Sequence, residues 1–137
     1  MKLNQLVSKS DRMRKANSRL VRVVGYKTGF DKQGRPTAVA KTYTPREYTI
    51  GMRLVRAKDQ NKYVSSVKFL DKQLNCKVSC SCPDFMFRWE WSLAQVGAAD
   101  IIYGNGEPPD VTNSEHRPAL CKHLLALRAL IKTKHGI

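Results

Sequence analysis

Two short Cys/His pairs, Cys80-Ser81-Cys82 and Cys121-Lys122-His123, constrain this chain more than any other feature of its sequence. Each pair leaves one residue between its members, and 38 residues separate the two. On an extended strand residues i and i+2 point to one face, so Cys80 and Cys82 can present both sulfurs to one ion. Cys121 and His123 fall where a terminal helix is expected to begin, in backbone that can still turn two side chains inward. Three thiolates and one imidazole suit a tetrahedral zinc, one per chain and structural, and fill its coordination sphere. A filled sphere leaves no position for water or substrate, so the chain reads as a binding module and not as an enzyme. Cys76 shares the strand parity of Cys80, but at about 3.3 Å per residue it lies roughly 13 Å away along a straight strand, and it reads as a small buried hydrophobe. His116 and His135 read as surface histidines.

The size fits one domain in which a metal clip still adds usefully to stability, since 137 residues bury only a modest core. Four cysteines in a chain expected to be intracellular point to metal ligands or core positions before disulfides. No apolar run approaches the length of a membrane span, and the start Met1-Lys2-Leu3-Asn4-Gln5-Leu6-Val7 lacks the apolar stretch of a signal peptide. The expectation is a soluble, cytoplasmic protein with no membrane partner.

Charge narrows the partner. Twenty-five Lys and Arg against 11 Asp and Glu leave a formal +14, which favours an anion, with nucleic acid first and an acidic protein surface second. The charge is uneven. Residues 1–35 hold ten basic and two acidic side chains, whereas residues 80–118 hold two basic and six acidic. The segment between the two Cys/His pairs is therefore an acidic, aromatic insert in a basic protein, suited to touching another protein before a phosphate backbone.

The pattern along the chain predicts an α+β fold, a small antiparallel sheet feeding a zinc-stapled hairpin and a C-terminal helix. Residues 1–20 read as a basic N-terminal arm or helix, either a solvated surface helix or a polyanion-binding arm carrying Arg12, Arg14, Lys15 and Arg19. Residues 21–62 form a basic β-rich part, with Val21 to Val24 before Gly25, Thr37 to Tyr43, and one strand placing Tyr48, Ile50, Met52 and Leu54 on a single face. A third pair follows, Tyr63 to Leu70 and Gln73 to Cys82, hinged at Asp71-Lys72. Phe85 to about Val96 is predicted helical, Gly104 to Pro118 a loop, and Leu120, Leu124, Leu127 and Ile131 line one side of the terminal helix.

Cys80-Ser81-Cys82-Pro83-Asp84-Phe85, followed by Cys121-Lys122-His123-Leu124, resembles the SWIM-type zinc finger, a C-x-C, a variable spacer and a C-x-H. The resemblance spans about residues 63 to 134. It implies a hairpin feeding a helix around one zinc, ligand roles for Cys80, Cys82, Cys121 and His123, and binding to DNA or protein. Residues 63–137 accordingly read as a SWIM-type zinc module. Its spacer is long for the family, so the insert at 83–118 is an elaboration whose role is not inherited. The stretch from Asn105 to His123 is also similar to small SWIM-bearing proteins of tailed bacteriophages, which implies DNA handling or a structural place in the virion.

Two further groups carry double readings. Phe85, Phe87, Trp89 and Trp91 can stack bases, pack around the zinc, or, where exposed, dock a protein, with Phe87, Trp89 and Trp91 the candidates for docking. The neighbouring Asp84 and Glu90 repel phosphates and disfavour the first. Arg53, Arg56 and Lys68, among the basic strands, can track phosphates or form a solvated outer sheet face. Gly25-Tyr26-Lys27-Thr28-Gly29 lacks the spacing of a phosphate-binding loop. The function expected is nucleic-acid binding through the basic arm and sheet, the alternative an assembly protein of a phage particle that docks onto other proteins.

Overall fold

Alternating burial along the strands builds the sheet that positions everything else. The computed structural model describes residues 1–45, 47–50, 53–56 and 61–136, the two short middle segments as backbone only. Strands β1 (Arg22–Phe30), β2 (Pro36–Tyr43), β5 (Tyr63–Phe69) and β6 (Cys76–Cys80) form one antiparallel sheet in the order β1-β2-β5-β6. Strands β3 (Glu47–Ile50) and β4 (Arg53–Arg56) pair separately as a hairpin between β2 and β5. The register aligns Ala38 with Val67 and Val78, and Ala40 with Ser65 and Cys80, so one face carries the small buried residues.

Across that face lies α4 (Lys122–His135), with Leu124, Leu127 and Ile131 buried on its inner side. Burying each such side chain stabilises the fold by about 1.5–3 kcal/mol. The small residues of β2 let the helix approach, and Gly136, with φ of 69°, ends it in the left-handed turn that glycine adopts at little cost.

The first twenty residues form two short helices, α1 (Leu3–Lys9) and α2 (Arg12–Ser18), separated by extended backbone at Ser10. Asp11 caps α2 by accepting a hydrogen bond from the Arg14 backbone N–H at 2.8 Å. Leu3 and Leu6 belong to the core, α2 packs on α4, and the buried Ser10 hydroxyl accepts from the Leu120 backbone N–H at 3.0 Å. The segment is thus an integral layer of the fold, tied to the residue that precedes Cys121.

Three boundaries differ from the sequence pattern. Gly25 does not end β1; with φ of 61° it sits in a bulge between Val24 and Lys27, and the strand continues to Phe30. The single strand expected through Tyr48, Ile50 and Leu54 is two, because Ile50 pairs with Arg53; Met52 lies outside the described residues. Strand β6 begins at Cys76 and not at Gln73, since Asp71 Oδ1 accepts from the backbone N–H groups of Gln73 and Asn75 and holds that stretch in a loop.

After β6 the chain enters a π-helical turn at Phe85–Trp89 that runs into α3 (Glu90–Gln95). The rest of the insert is irregular but organised by side chains. Buried Glu90 accepts from the backbone N–H groups of Tyr103 at 3.1 Å and Gly104 at 2.7 Å. The Asn113 amide donates to the Arg88 and Arg117 carbonyls and to Ser92 Oγ. The outer edge of β6 is covered where Cys76 N–H donates to Met1 O and Val78 N–H to Ala98 O. No described helix is long and apolar enough to cross a membrane.

Candidate metal centre

The end of β6 and the start of α4 bring four ligand-type side chains together. Donor atoms of Cys80, Cys82, Cys121 and His123 all lie within 4.8 Å of one another, and all four residues are buried, none more than 4% exposed. One metal ion fits among them. Cys80 is the last residue of β6. Cys82 lies beyond the strand, its carbonyl accepting from Met86 N–H at 3.1 Å, so the two sulfurs converge through a bend and not through strand parity. Cys121 holds the N-cap position of α4, yet its side chain makes no capping hydrogen bond. A Ser, Thr, Asp or Asn there normally stabilises the helix by about 1 kcal/mol. A cysteine gives that up and leaves its sulfur free to turn into the cluster.

Buried hydroxyls and amides orient the sulfurs. Ser65 Oγ lies 3.3 Å from Cys80 Sγ and 2.8 Å from Thr42 Oγ1, and Thr42 Oγ1 in turn donates to Tyr63 O at 3.2 Å. Phe85 N–H donates to Cys82 Sγ at 3.4 Å. The Tyr63 ring meets the His123 imidazole edge to face at 5.1 Å between centroids. His123 Nδ1 is buried without a hydrogen-bond partner among the described residues. A buried polar nitrogen in that state calls for an acceptor or an ion. Such outer contacts are what holds ligands in place for a metal.

Protonation follows from the crowding. The Cys80 thiol is pulled far down, first by the hydrogen bond from Cys121 and then by that from Cys82. Burial pushes the Cys121 thiol well up, and Cys80 and Cys82 add to this. For Cys82 the Cys121 bond pulls down, but its bond to Cys80 and its burial outweigh that and raise it. A divalent cation is what allows all three sulfurs to ionise within this space.

Cys76 is buried and stands apart from the cluster, its thiol against Met1 O at 3.6 Å. Burial raises it to about 11. His116 pairs with Asp110 and meets Trp91 edge to face, and His135 bonds Tyr26, so neither joins the cluster.

The other residues singled out from the sequence separate into engaged and exposed. Arg12, Lys15 and Arg19 are exposed. Arg14 is not available to a phosphate: Nε and Nη2 each donate to Asp84 at 2.7 Å, Nη1 donates to Asp11, and the guanidinium lies over Trp89. Lys68 stands 3.5 Å from Asp31, and Arg53 and Arg56 lie on β4, whose side chains are outside the described residues. Trp89 is buried and donates from Nε1 to Asp84, Trp91 is half-buried against His116, and Phe87 is exposed. Of the three aromatic docking candidates only Phe87 presents most of its surface.

Register identifies two cations that the sequence pattern passed over. Lys27 pairs with Val39 across β1 and β2, and Lys41 with Val64 across β2 and β5, which places both on the outer sheet face with Lys68 and Lys77. Lys77 is bound to Asp100 at 2.8 Å, while Lys27 and Lys41 have no carboxylate within ion-pair distance among the described residues. Strand alternation applied from Ala38 and Ala40 would have found them. Compared with known proteins, the chain matches no family model, no curated protein and no solved structure.

Proposed function

We propose that this chain is a zinc-stapled, non-catalytic module of SWIM type that binds nucleic acid through phosphate contacts. The donor set supports zinc: three sulfurs and an imidazole suit a tetrahedral site of intermediate softness, and four protein donors leave no open position for chemistry. The observation that carries nucleic acid is a set of exposed cations with no ion-pair partner among the described residues. Arg12, Lys15 and Arg19 on and beside α2, with Lys27 and Lys41 on the outer sheet face, remain available in a chain of formal charge +14. Such contacts position a backbone without reading its bases, so binding is expected to depend steeply on salt and weakly on sequence. A fluorescence-anisotropy titration of the full chain against a labelled duplex at several salt concentrations tests this. A slope of several units in log K against log salt is expected; no binding at 50 mM salt would contradict it.

A second reading, an assembly protein such as one of a phage particle, is supported by the insert, where Phe87, Ile102 and Val111 are 64%, 59% and 96% exposed. It predicts a stoichiometric protein complex and poor binding of free duplex in the same titration.

A further inference from the structure

Where α4 ends, the inner face of the sheet is left uncovered. Between the tip of β1 and β2, the β5–β6 loop and the last turns of α4 lies a cleft of about 610 Å³. That size lies within the range of about 300–1,000 Å³ usual for small-molecule sites. Phe69 and Ile131 form its buried floor, Tyr26 one wall, and Phe30 stands at its lip with 76% of its surface exposed. The Tyr26 hydroxyl is fixed 2.9 Å from His135 Nε2, and Lys134 Nζ lies 5.5 Å from the Tyr26 ring centroid. The walls are thus aromatic and partly preset.

The rim is cationic in effect. Arg35 and Lys72 line it, and Lys32 stands in the same hairpin turn that follows Phe30. The carboxylate in the lining, Asp71, faces its own loop: Oδ1 accepts from Gln73 and Asn75 N–H and Oδ2 from the Asn75 amide. Asp31, in the turn between β1 and β2, accepts from Gln33 and Arg35 N–H and lies within ion-pair distance of Lys68 and Arg35. Both acids stay ionised, but the charge of Asp31 is offset by Lys68 and Arg35, and that of Asp71 is directed into its own loop.

We infer that this cleft receives an unstacked base of a single-stranded nucleic acid, with Phe30 and Tyr26 as stacking surfaces and Lys72 and Arg35 against the flanking phosphates. Aromatic faces beside a cationic track are the chemistry that holds single strands, because every base offers a π-face to stack. A paired base cannot enter, so the cleft confers a preference for single strands over duplex. This rests on the nucleic-acid reading above and narrows it.

The test is fluorescence anisotropy with the full chain and three labelled probes of equal length: an oligo-dT, the same strand with abasic sites, and a duplex. Wild type should bind oligo-dT about tenfold more tightly than the abasic strand, the scale expected for one stacked base. Phe30→Ala, at an exposed position that packing does not depend on, should erase that difference and leave abasic and duplex binding unchanged. Lys72→Gln should weaken all strands alike in low salt. Equal binding of oligo-dT and abasic strand by wild type, or an unaltered oligo-dT affinity in Phe30→Ala, overturns the cleft assignment while duplex binding keeps the broader reading. Absence of binding to every probe overturns both.

Discussion

At the N-terminal end of α4, Cys121 and His123 are buried in a cluster whose neighbours are almost all bonded inward, whereas at its C-terminal end Tyr26, Phe30 and Lys72 line an open cleft. The same contrast separates the acidic insert from the basic sheet. Of the insert's carboxylates, Asp84 is bound by Arg14 and Arg88, Glu90 by two backbone N–H groups, and Asp100 by Lys77. On the outer sheet face Lys27 and Lys41 have no such partner among the described residues. Net charge counted along a sequence is therefore a poor guide to charge a partner can use. Much of the insert's acidity fastens it to its own protein.

The contrast breaks most completely at the cluster. Cys121→Ser should abolish stoichiometric metal binding and cost more than the total stability of about 5–15 kcal/mol available to a domain, read as loss of a cooperative thermal transition. Cys76→Ser, which removes an equally buried sulfur outside the cluster, should retain one metal per chain. Loss of metal in both would place the ligands wrongly.

Next in size is the latch that closes the insert. A Cβ on Gly104 would stand 2.9 Å from Glu90 Oε1, so Gly104→Ala must push the carboxylate off its N–H donors. A destabilisation of about 1–3 kcal/mol is expected in urea unfolding. A variant as stable as wild type would mean that the loop shifts freely and that the insert is not fastened there.

Smaller again is the acid response of the α2 junction. Burial alone would raise the Asp11 carboxyl, but hydrogen bonds from the Arg14 backbone and side chain outweigh it and hold it below 3.8. A depressed carboxyl contributes stability above its ordinary value that is lost as pH falls through the folded one, so the contribution is present at neutral pH and fades below about pH 4. Asp11→Asn should flatten the acid limb of the stability profile in that window. An unchanged limb would show that the pair contributes nothing there.

On the open side, Lys27→Gln and Lys41→Gln should leave the thermal midpoint unchanged while each lowers the salt slope of duplex binding by about 0.9, one phosphate contact apiece. Arg14→Gln should do the reverse, moving stability and not the slope. A full effect of Arg14 on the slope would mean that its bonds to Asp84 and Asp11 open on binding.

The gathering of the four candidate ligands and the α+β architecture were legible because short spacings and alternation are local. Cys80, Cys82, Cys121 and His123 converge as their pairing suggested, although the sulfurs of the first pair meet through a bend after β6. What was not legible depends on contacts far apart in the chain. Arg14 looks like a phosphate ligand until Asp84, seventy residues away, is seen to hold it. Trp89 looks like a docking residue until its burial beside Asp84 is known. Ser65 and Thr42 carry no sequence signal for a cluster, since only cross-strand register places Ser65 opposite Cys80. Gly25 carried a turn signal whose outcome, a bulge within a continuing strand, local pattern does not decide.

The most direct test of the central proposal is native mass spectrometry of the purified chain, followed by a thermal scan before and after exhaustive chelation. One zinc per chain, removed by the chelator with loss of the cooperative transition and restored on adding zinc back, is the expected result. A metal-free chain that unfolds cooperatively at the same midpoint with and without chelator would contradict it.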